Sequence, residues 1–434
     1  MFGWKGKVLR VNLSNGFVEE ELISENLLEN YVGGCRLAKE VARLEEVSAE
    51  KNKLIFANGA LTGTGVPTGA FCSVAGYVSL QEDILCAPLL LRFGPELKCC
   101  GYDVLIIEGK APEWCYLFIT DEEAKVVPVA EMEGYTPAEI EEVIRSSFSK
   151  WYGNDIRIVS IGKEGEQPSG LGGLVTDGLL VNYSGGLGNV FGEKRLKAIA
   201  VRGTLDIKLA KAAVFQKIIT DAIKDFREKR NKLFETVHTV FARLELPLSR
   251  EIHHGEIEKK ACLACPIACL HQREGKFLPN FTVTFCFSEL LEIENMEDAL
   301  TLYDLCEKRG IDPVALSVTG RMLIELAKVG KADVTLTPGD TKQLVALIED
   351  ESSLLHKGGF WLAQHYQSET LLQDITKKID TTREEIFAQI EEAGKKKAVL
   401  EALGLCPYAL LAFPYDVIIK AFEAATGKAL EVKE

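Results

Sequence analysis

Lys197-Ala198-Ile199-Ala200-Val201, followed closely by the run of residues 210–232, decides the fold class. The first stretch is short, apolar and bounded by turn residues, which reads as a strand. The second repeats its apolar residues at helical spacing. Upstream, residues 8–13, 53–57, 104–108, 114–120 and 156–161 also read as strands. Glycines punctuate the gaps at Gly33-Gly34, Gly63, Gly65, Gly172-Gly173, Gly185-Gly186 and Gly188. Downstream, residues 296–309, 313–329, 341–355 and 383–403 carry helical periodicity. Strands first and helices afterwards indicate an α+β chain. We expect an N-terminal mixed β-rich domain over residues 1–207 and a mostly α-helical region over residues 208–434.

Composition bounds the rest. The chain has 434 residues, 47% hydrophobic and 26% charged, enough for about two or three domains with a large core. A net charge of −14 argues against nucleic-acid binding, which needs excess Lys and Arg, and against an anionic membrane surface. Met1-Phe2-Gly3-Trp4-Lys5 runs into a strand pattern without a hydrophobic signal core. No apolar run approaches the roughly 18 residues of a spanning helix. Twelve cysteines in such a chain point to a reducing compartment, and the expected location is cytoplasmic.

Cys262-Leu263-Ala264-Cys265-Pro266-Ile267-Ala268-Cys269 is the strongest chemical signal. Three thiols this close can converge on one metal centre, and Pro266 limits the backbone between them. A [4Fe–4S] cluster takes one thiolate per iron, so a fourth ligand must come from elsewhere. Zinc is the alternative, with His271, His253 or His254 completing the set. Spacing favours iron–sulfur without excluding zinc.

The same segment resembles that of the tungstopterin-dependent aldehyde:ferredoxin oxidoreductases. So does Gly3-Trp4-Lys5-Gly6-Lys7-Val8-Leu9-Arg10-Val11-Asn12-Leu13. Leu61-Thr62-Gly63-Thr64-Gly65-Val66-Pro67-Thr68-Gly69 and Phe93-Gly94-Pro95-Glu96-Leu97-Lys98 are further matches, the latter continuing from Gly101 to Ala111. Gly185-Gly186-Leu187-Gly188 and Leu196-Lys197-Ala198-Ile199-Ala200-Val201 follow, and Leu403-Gly404-Leu405-Cys406 comes near the end. The resemblance implies that Cys262, Cys265, Cys269 and Cys406 are the cluster's four ligands, and that residues 208–434 are shortened forms of the family's domains 2 and 3. The remaining eight cysteines are then expected to be buried small hydrophobes.

Family members hold tungsten between two pterins, on glycine loops that let backbone approach the cofactor. Several of these loops depart here. Ala70-Phe71-Cys72 stands where the family has an arginine, and Ser184 replaces another. Pro88-Leu89-Leu90-Leu91, followed by Arg92, replaces a polar glycine-rich run. The two Asp-x-x-Gly-Leu segments read Glu307-Lys308-Arg309-Gly310-Ile311-Asp312 and Glu401-Ala402-Leu403-Gly404-Leu405-Cys406. Glu307 and Glu401 are expected to be solvated helix-end charges. A glycine- and histidine-containing stretch before the fourth cysteine is replaced by a charged helical segment, residues 377–397. His365 is the histidine nearest that gap, expected on an amphipathic helix. Only 28 residues follow Cys406, so the family's final helices are expected to be curtailed.

These departures imply a [4Fe–4S] protein without tungstopterin, acting in electron transfer or as an accessory subunit. Its expected partners are ferredoxin or a full-length family paralogue, with a homodimer as a further possibility. A working tungsten-dependent aldehyde oxidoreductase, sending electrons to ferredoxin, is one alternative. A zinc-stabilised interaction protein is the other.

Overall fold

The computed structural model describes residues 1–153, 155–181, 185–243, 257–388 and 393–430. A first sheet contains β1 (Lys7–Asn12), β2 (Phe17–Leu22), β3 (Leu54–Asn58), β4 (Cys72–Val78), β5 (Asp83–Leu89) and β6 (Val104–Glu108). Its spatial order is β2-β1-β6-β3-β4-β5, with β1 and β6 parallel and the other neighbours antiparallel. A second sheet contains β7 (Cys115–Thr120), β8 (Ala124–Pro128), β9 (Arg157–Ser160), β10 (Leu174–Thr176), β11 (Leu179–Val181) and β12 (Leu196–Arg202). Its order is β11-β10-β9-β12-β7-β8, and only β7 and β12 run parallel.

Alternation along the strands stacks these sheets. Leu9, Val11, Leu54, Phe56, Leu105 and Ile107 share a core with Leu117, Ile119, Val159, Ile199 and Val201 of the second sheet. Their neighbours Val8, Ile55, Ala57, Val104 and Ile106 face the other way. They meet Leu37 and Val41 of the helix Gly34–Leu44, and Leu400, Leu403, Phe413 and Ile418 from the chain's last helices. On the outer face of the second sheet, Tyr116, Phe118, Ile158 and Ala200 pack on Ile140 and Ile144 of the helix Pro137–Tyr152. The inner strands are therefore buried on both sides, which is why they read as continuous apolar runs.

All six expected strands form. The unexpected ones are mostly edges or short: β2 is the charged run Phe17-Val18-Glu19-Glu20-Glu21-Leu22, and β5 contains Pro88, which an edge strand tolerates. The helical half has its own core, built from residues between Val283 and Ile379 and joined by Leu171, Val175 and Leu180. Met296–Arg309 and Pro313–Lys328 match expectation because their ends are well specified. The Asn295 side chain accepts the Asp298 amide at one start, Gly310 turns left-handed at φ 69° after the end, and Asp312 caps the next start. The periodic stretch 383–403 is divided between the helices Glu369–Ala388 and Ala393–Leu403. Among the described residues no helix is long and apolar enough to cross a membrane.

Polar anchors fix the N-terminus and join the halves. Asp103 is fully buried and accepts the Lys5 and Gly6 amides at 2.8 and 2.6 Å. Trp4 donates to the Val32 carbonyl at 2.8 Å and meets Phe422 edge-on. Between the halves, Glu164 is fully buried, accepts from Ser169, and meets His356 Nδ1 at 2.8 Å and Arg309 at 3.6 Å.

Glu141 and Glu307 lie on two helices that also cross between the halves. Burial pushes both carboxyls up to about 7, with help from Asp177 for Glu141 and from Asp304 for Glu307. Both hold a proton more tightly in the fold than in the unfolded chain. The stability this supplies is complete below their ordinary pKa of 4.5 and is lost as pH rises through about 7. Urea midpoints should therefore fall between about pH 5 and about pH 8, and fall less in the Glu141→Gln, Glu307→Gln double variant. An equal fall in both proteins would remove these carboxyls as the cause.

Candidate metal centre

A small third sheet, β13 (Glu258–Lys260), β14 (Leu270–Arg273) and β15 (Lys276–Phe277), presents the cysteine segment as the loop between its first two strands. Ala264 and Ala268 adopt positive φ of 54° and 49°, so the chain turns sharply after the first thiol and before the third. The Cys265 amide donates to the Cys262 carbonyl at 3.0 Å. The Cys265 sulfur faces the amides of Ala268 and Ile267, and the Cys262 sulfur faces that of Leu91. Such amides favour a thiolate.

Cys406 arrives from the opposite direction. Its helix, Ala393–Leu403, stops at Gly404, whose φ of 83° turns the chain. The Cys406 amide then donates to the Thr68 carbonyl at 3.2 Å, and its sulfur faces the Tyr408 amide. The structure brings the four cysteines within electrostatic range of one another: Cys406 feels Cys269, Cys262 and Cys265, and Cys269 feels Cys262 and Cys265. Burial is the largest cause of a raised pKa at all four, reaching about 11 at Cys262 and about 12 at Cys269. Cys269 is exposed as a residue, so it is the sulfur that is turned inward. Among the described residues no three His, Cys, Asp or Glu side chains form a ready-made metal-ion site.

Two loops hold these arms. Leu91, at φ 64°, accepts the Leu263 amide at 3.2 Å and packs with Leu179, Leu270 and Phe277, with Leu90 and Cys262 at the margin. Phe71 is buried; its amide donates to Gly404 at 3.1 Å and its carbonyl accepts the Thr62 hydroxyl at 2.7 Å. Gly59 touches the same backbone: a Cβ there would lie 2.1 Å from the Gly404 nitrogen. The fully buried Lys98 donates to the Gly59 and Ala60 carbonyls at 2.7 and 2.9 Å, and burial lowers its pKa to about 8. Thr68, at φ 68°, has a buried hydroxyl without a protein partner beside the Cys406 arm.

The other expected residues scatter. Glu307 is half-buried against Asp304, Lys276 and Glu141, which corrects the expectation of a solvated charge. The rest of its motif is structural: Arg309 pairs with Glu164, and Asp312 caps a helix and accepts the Gly185 amide at 3.4 Å. Glu401 is also half-buried, 3.9 Å from Lys397, and its charge reaches Cys35 and Cys86. His365 is exposed and stacks on Trp361 at 4.3 Å, as a helix-surface residue should. His271 lies on β14 opposite Lys259. His253, His254 and Ser184 fall outside the described residues. Of the eight other cysteines, Cys72, Cys100, Cys115, Cys286 and Cys306 are buried as expected. Cys35, Cys86 and Cys99 are only half-buried, because each lies on an element with one face toward the surface. Lys98 was missed as a structural residue, because its contacts to Gly59 and Ala60 are tertiary and leave no local signal.

Residues 8–203 match the family "Aldehyde ferredoxin oxidoreductase, N-terminal domain". Residues 222–367 match "Aldehyde ferredoxin oxidoreductase, domains 2 & 3", which takes in Cys262, Cys265 and Cys269. The chain is 28% identical over 418 residues to a tungsten-containing aldehyde ferredoxin oxidoreductase of Pyrococcus horikoshii, covering 84% of this chain and 68% of that one. It is 29% identical over 221 residues to the aliphatic sulfonate oxidoreductase, WOR-like subunit, of Pyrococcus furiosus, covering 47% and 35%. Among solved structures it resembles the active site complex BamBC of benzoyl coenzyme A reductase in complex with 1,5-dienoyl-CoA. The TM-score is 0.72 at 21% identity, over 85% of this chain and 64% of that one, a likeness of fold. The chain thus spans about two thirds of the length of its long relatives. On the two family matches, which run from the first strand into the helical half, the chain belongs to the aldehyde ferredoxin oxidoreductase family.

Proposed function

We propose that this chain holds one [4Fe–4S] cluster on Cys262, Cys265, Cys269 and Cys406 and works without tungstopterin, as an electron-transfer or accessory subunit. The observation that carries the reading is that the Cys406 arm, its amide bonded to the Thr68 carbonyl, comes within electrostatic range of the three clustered cysteines. The set suits a cluster: four soft donors, several facing backbone amides. When bound, such a cluster supplies one-electron transfer. The chain's own residues direct the two arms, and the Thr68 carbonyl accepts the Cys406 amide.

The tungstopterin fits less well. Leu91 and Phe71 stand where the family resemblance puts cofactor-facing loops, and both are engaged in packing and main-chain bonds. Apolar side chains there leave a pterin's polar edge without donors, at roughly 1–3 kcal/mol for each unmatched group. The natural partner is then a ferredoxin or a full-length relative carrying the catalytic metal. The second reading, a working tungsten enzyme that converts an aldehyde and water to a carboxylate, is favoured by the tungsten-containing relatives.

Anaerobic purification from cells given tungstate and molybdate separates the readings. About four irons per chain, with neither heavy metal nor oxidised-pterin fluorescence, is the expected result. Near-stoichiometric tungsten with pterin would establish the second reading, and zinc alone would overturn both.

Ligand assignment has its own test. Cys406→Ser should lose most of the iron and lower the melting temperature, because ligand binding and folding are coupled. His271→Ala should keep its iron. The reverse pattern would replace Cys406 by His271 in the ligand set.

A further inference from the structure

Thr62 sits where the Cys406 arm lands on the first sheet. β3 ends at Asn58 and β4 begins at Cys72, so residues 59–71 form the loop between them, with Gly59 and Phe71 at its neck. Thr62 is fully buried, and its hydroxyl closes that neck: it accepts the Gly59 amide at 2.9 Å and donates to the Phe71 carbonyl at 2.7 Å. A hydroxyl has one proton to give, so the donor of Thr62 is committed to Phe71. Beyond the neck, the Gly63 amide donates to the Gly69 carbonyl at 2.9 Å and folds the loop back on itself. Gly404 lies against the same hydroxyl: a Cβ there would stand 2.0 Å from Thr62 Oγ1. Main-chain bonds flank this contact, from Leu61 to Leu403 at 2.9 Å and from Phe71 to Gly404 at 3.1 Å. The Gly404 and Leu405 amides still bond to their own helix, at Glu401 and Leu400. The Cys406 amide leaves it and goes to the Thr68 carbonyl, inside the loop that Thr62 closes.

We infer that Thr62 is a positioning residue for Cys406, acting through the loop 59–71. Its hydroxyl ties the two ends of the loop together, the closed loop sets the Thr68 carbonyl, and that carbonyl holds the Cys406 amide. The consequence rests on the cluster reading: a loosened Cys406 arm leaves one iron without a firm thiolate. Thr62→Val keeps the side chain close to its original volume but removes the hydroxyl. It orphans a buried donor at Gly59 and a buried acceptor at Phe71, which costs more than the bonds themselves. Thr62→Ser keeps the hydroxyl and should keep the arm in place.

Hydrogen–deuterium exchange of the full chain as purified, read by peptide mass spectrometry, reports on the arm directly. In Thr62→Val, peptides spanning 404–408 should exchange at least about tenfold faster than in the unaltered protein, while β12 in the second sheet should not change. Thr62→Ser should match the unaltered protein at both places. In the iron-loaded chain, mild oxidation of Thr62→Val should give the electron paramagnetic resonance signal of a three-iron cluster, as expected when one iron loses its thiolate, and Thr62→Ser should not. Gly404→Ala leaves Thr62 in place and sets a methyl against its hydroxyl, so it should release the same segment. It takes the place of Thr62→Val if that variant does not fold. Unchanged exchange at 404–408 in the variant used, fast exchange there in Thr62→Ser, or oxidation of the loaded variant without the three-iron signal would overturn the inference. A chain purified without iron would sink the cluster reading alone, because the exchange readout needs no metal.

Discussion

The close approach of Gly59 to the Leu403–Gly404 backbone is the constraint on which the candidate centre depends. No side chain fits between them, so the two segments meet as bare main chain. The Leu61 amide donates to Leu403 at 2.9 Å, Phe71 to Gly404 at 3.1 Å, and Cys406 to Thr68 at 3.2 Å. Three main-chain bonds therefore register the last ligand arm against a loop of the first sheet. Lys98 fixes that loop from beneath by holding two of its carbonyls. Burying an ammonium is costly, and its lowered pKa reports that cost; two well-placed acceptors offset part of it. Cys406 is positioned by residues hundreds of places earlier in the chain.

That origin explains what could be read from the sequence. Strands buried on both faces were legible because every position carries the apolar signal, as in Leu54-Ile55-Phe56-Ala57. Edge strands such as β2 were not, since solvent accepts Phe17-Val18-Glu19-Glu20-Glu21-Leu22 on either side. The three clustered cysteines were visible from spacing alone. Cys406 was reached only by resemblance, because nothing local links it to the others. Thr68 and Lys98 belonged to recognised motifs, yet their contacts are tertiary and leave no periodic trace.

The altered loops are more than missing contacts. Leu91 joins Leu179, Leu270 and Phe277 in a small core that backs the cysteine hairpin, and Leu91 also accepts an amide from it. Removing the leucine side chain would leave a cavity as well as a looser hairpin, since large-to-small changes in a core carry both terms. Leucine packing thus stands at this loop, where the resemblance leads one to expect glycine-rich chain, and it backs the cysteine segment. Phe71 is likewise buried beside Gly404.

The thiols themselves set the last condition. In the folded chain burial raises the pKa of Cys262, Cys265, Cys269 and Cys406 above the ordinary thiol value. Loading a metal centre there must release their protons, so uptake grows easier with rising pH and is linked to folding. The amides facing Cys262, Cys265 and Cys406 work against burial by favouring the anion. A turn at Ala264, a turn at Ala268 and the Gly404 corner set the course of the two arms that carry these cysteines. The direction of the Cys406 arm is thus built into the backbone, and it rests again on the bare contact at Gly59.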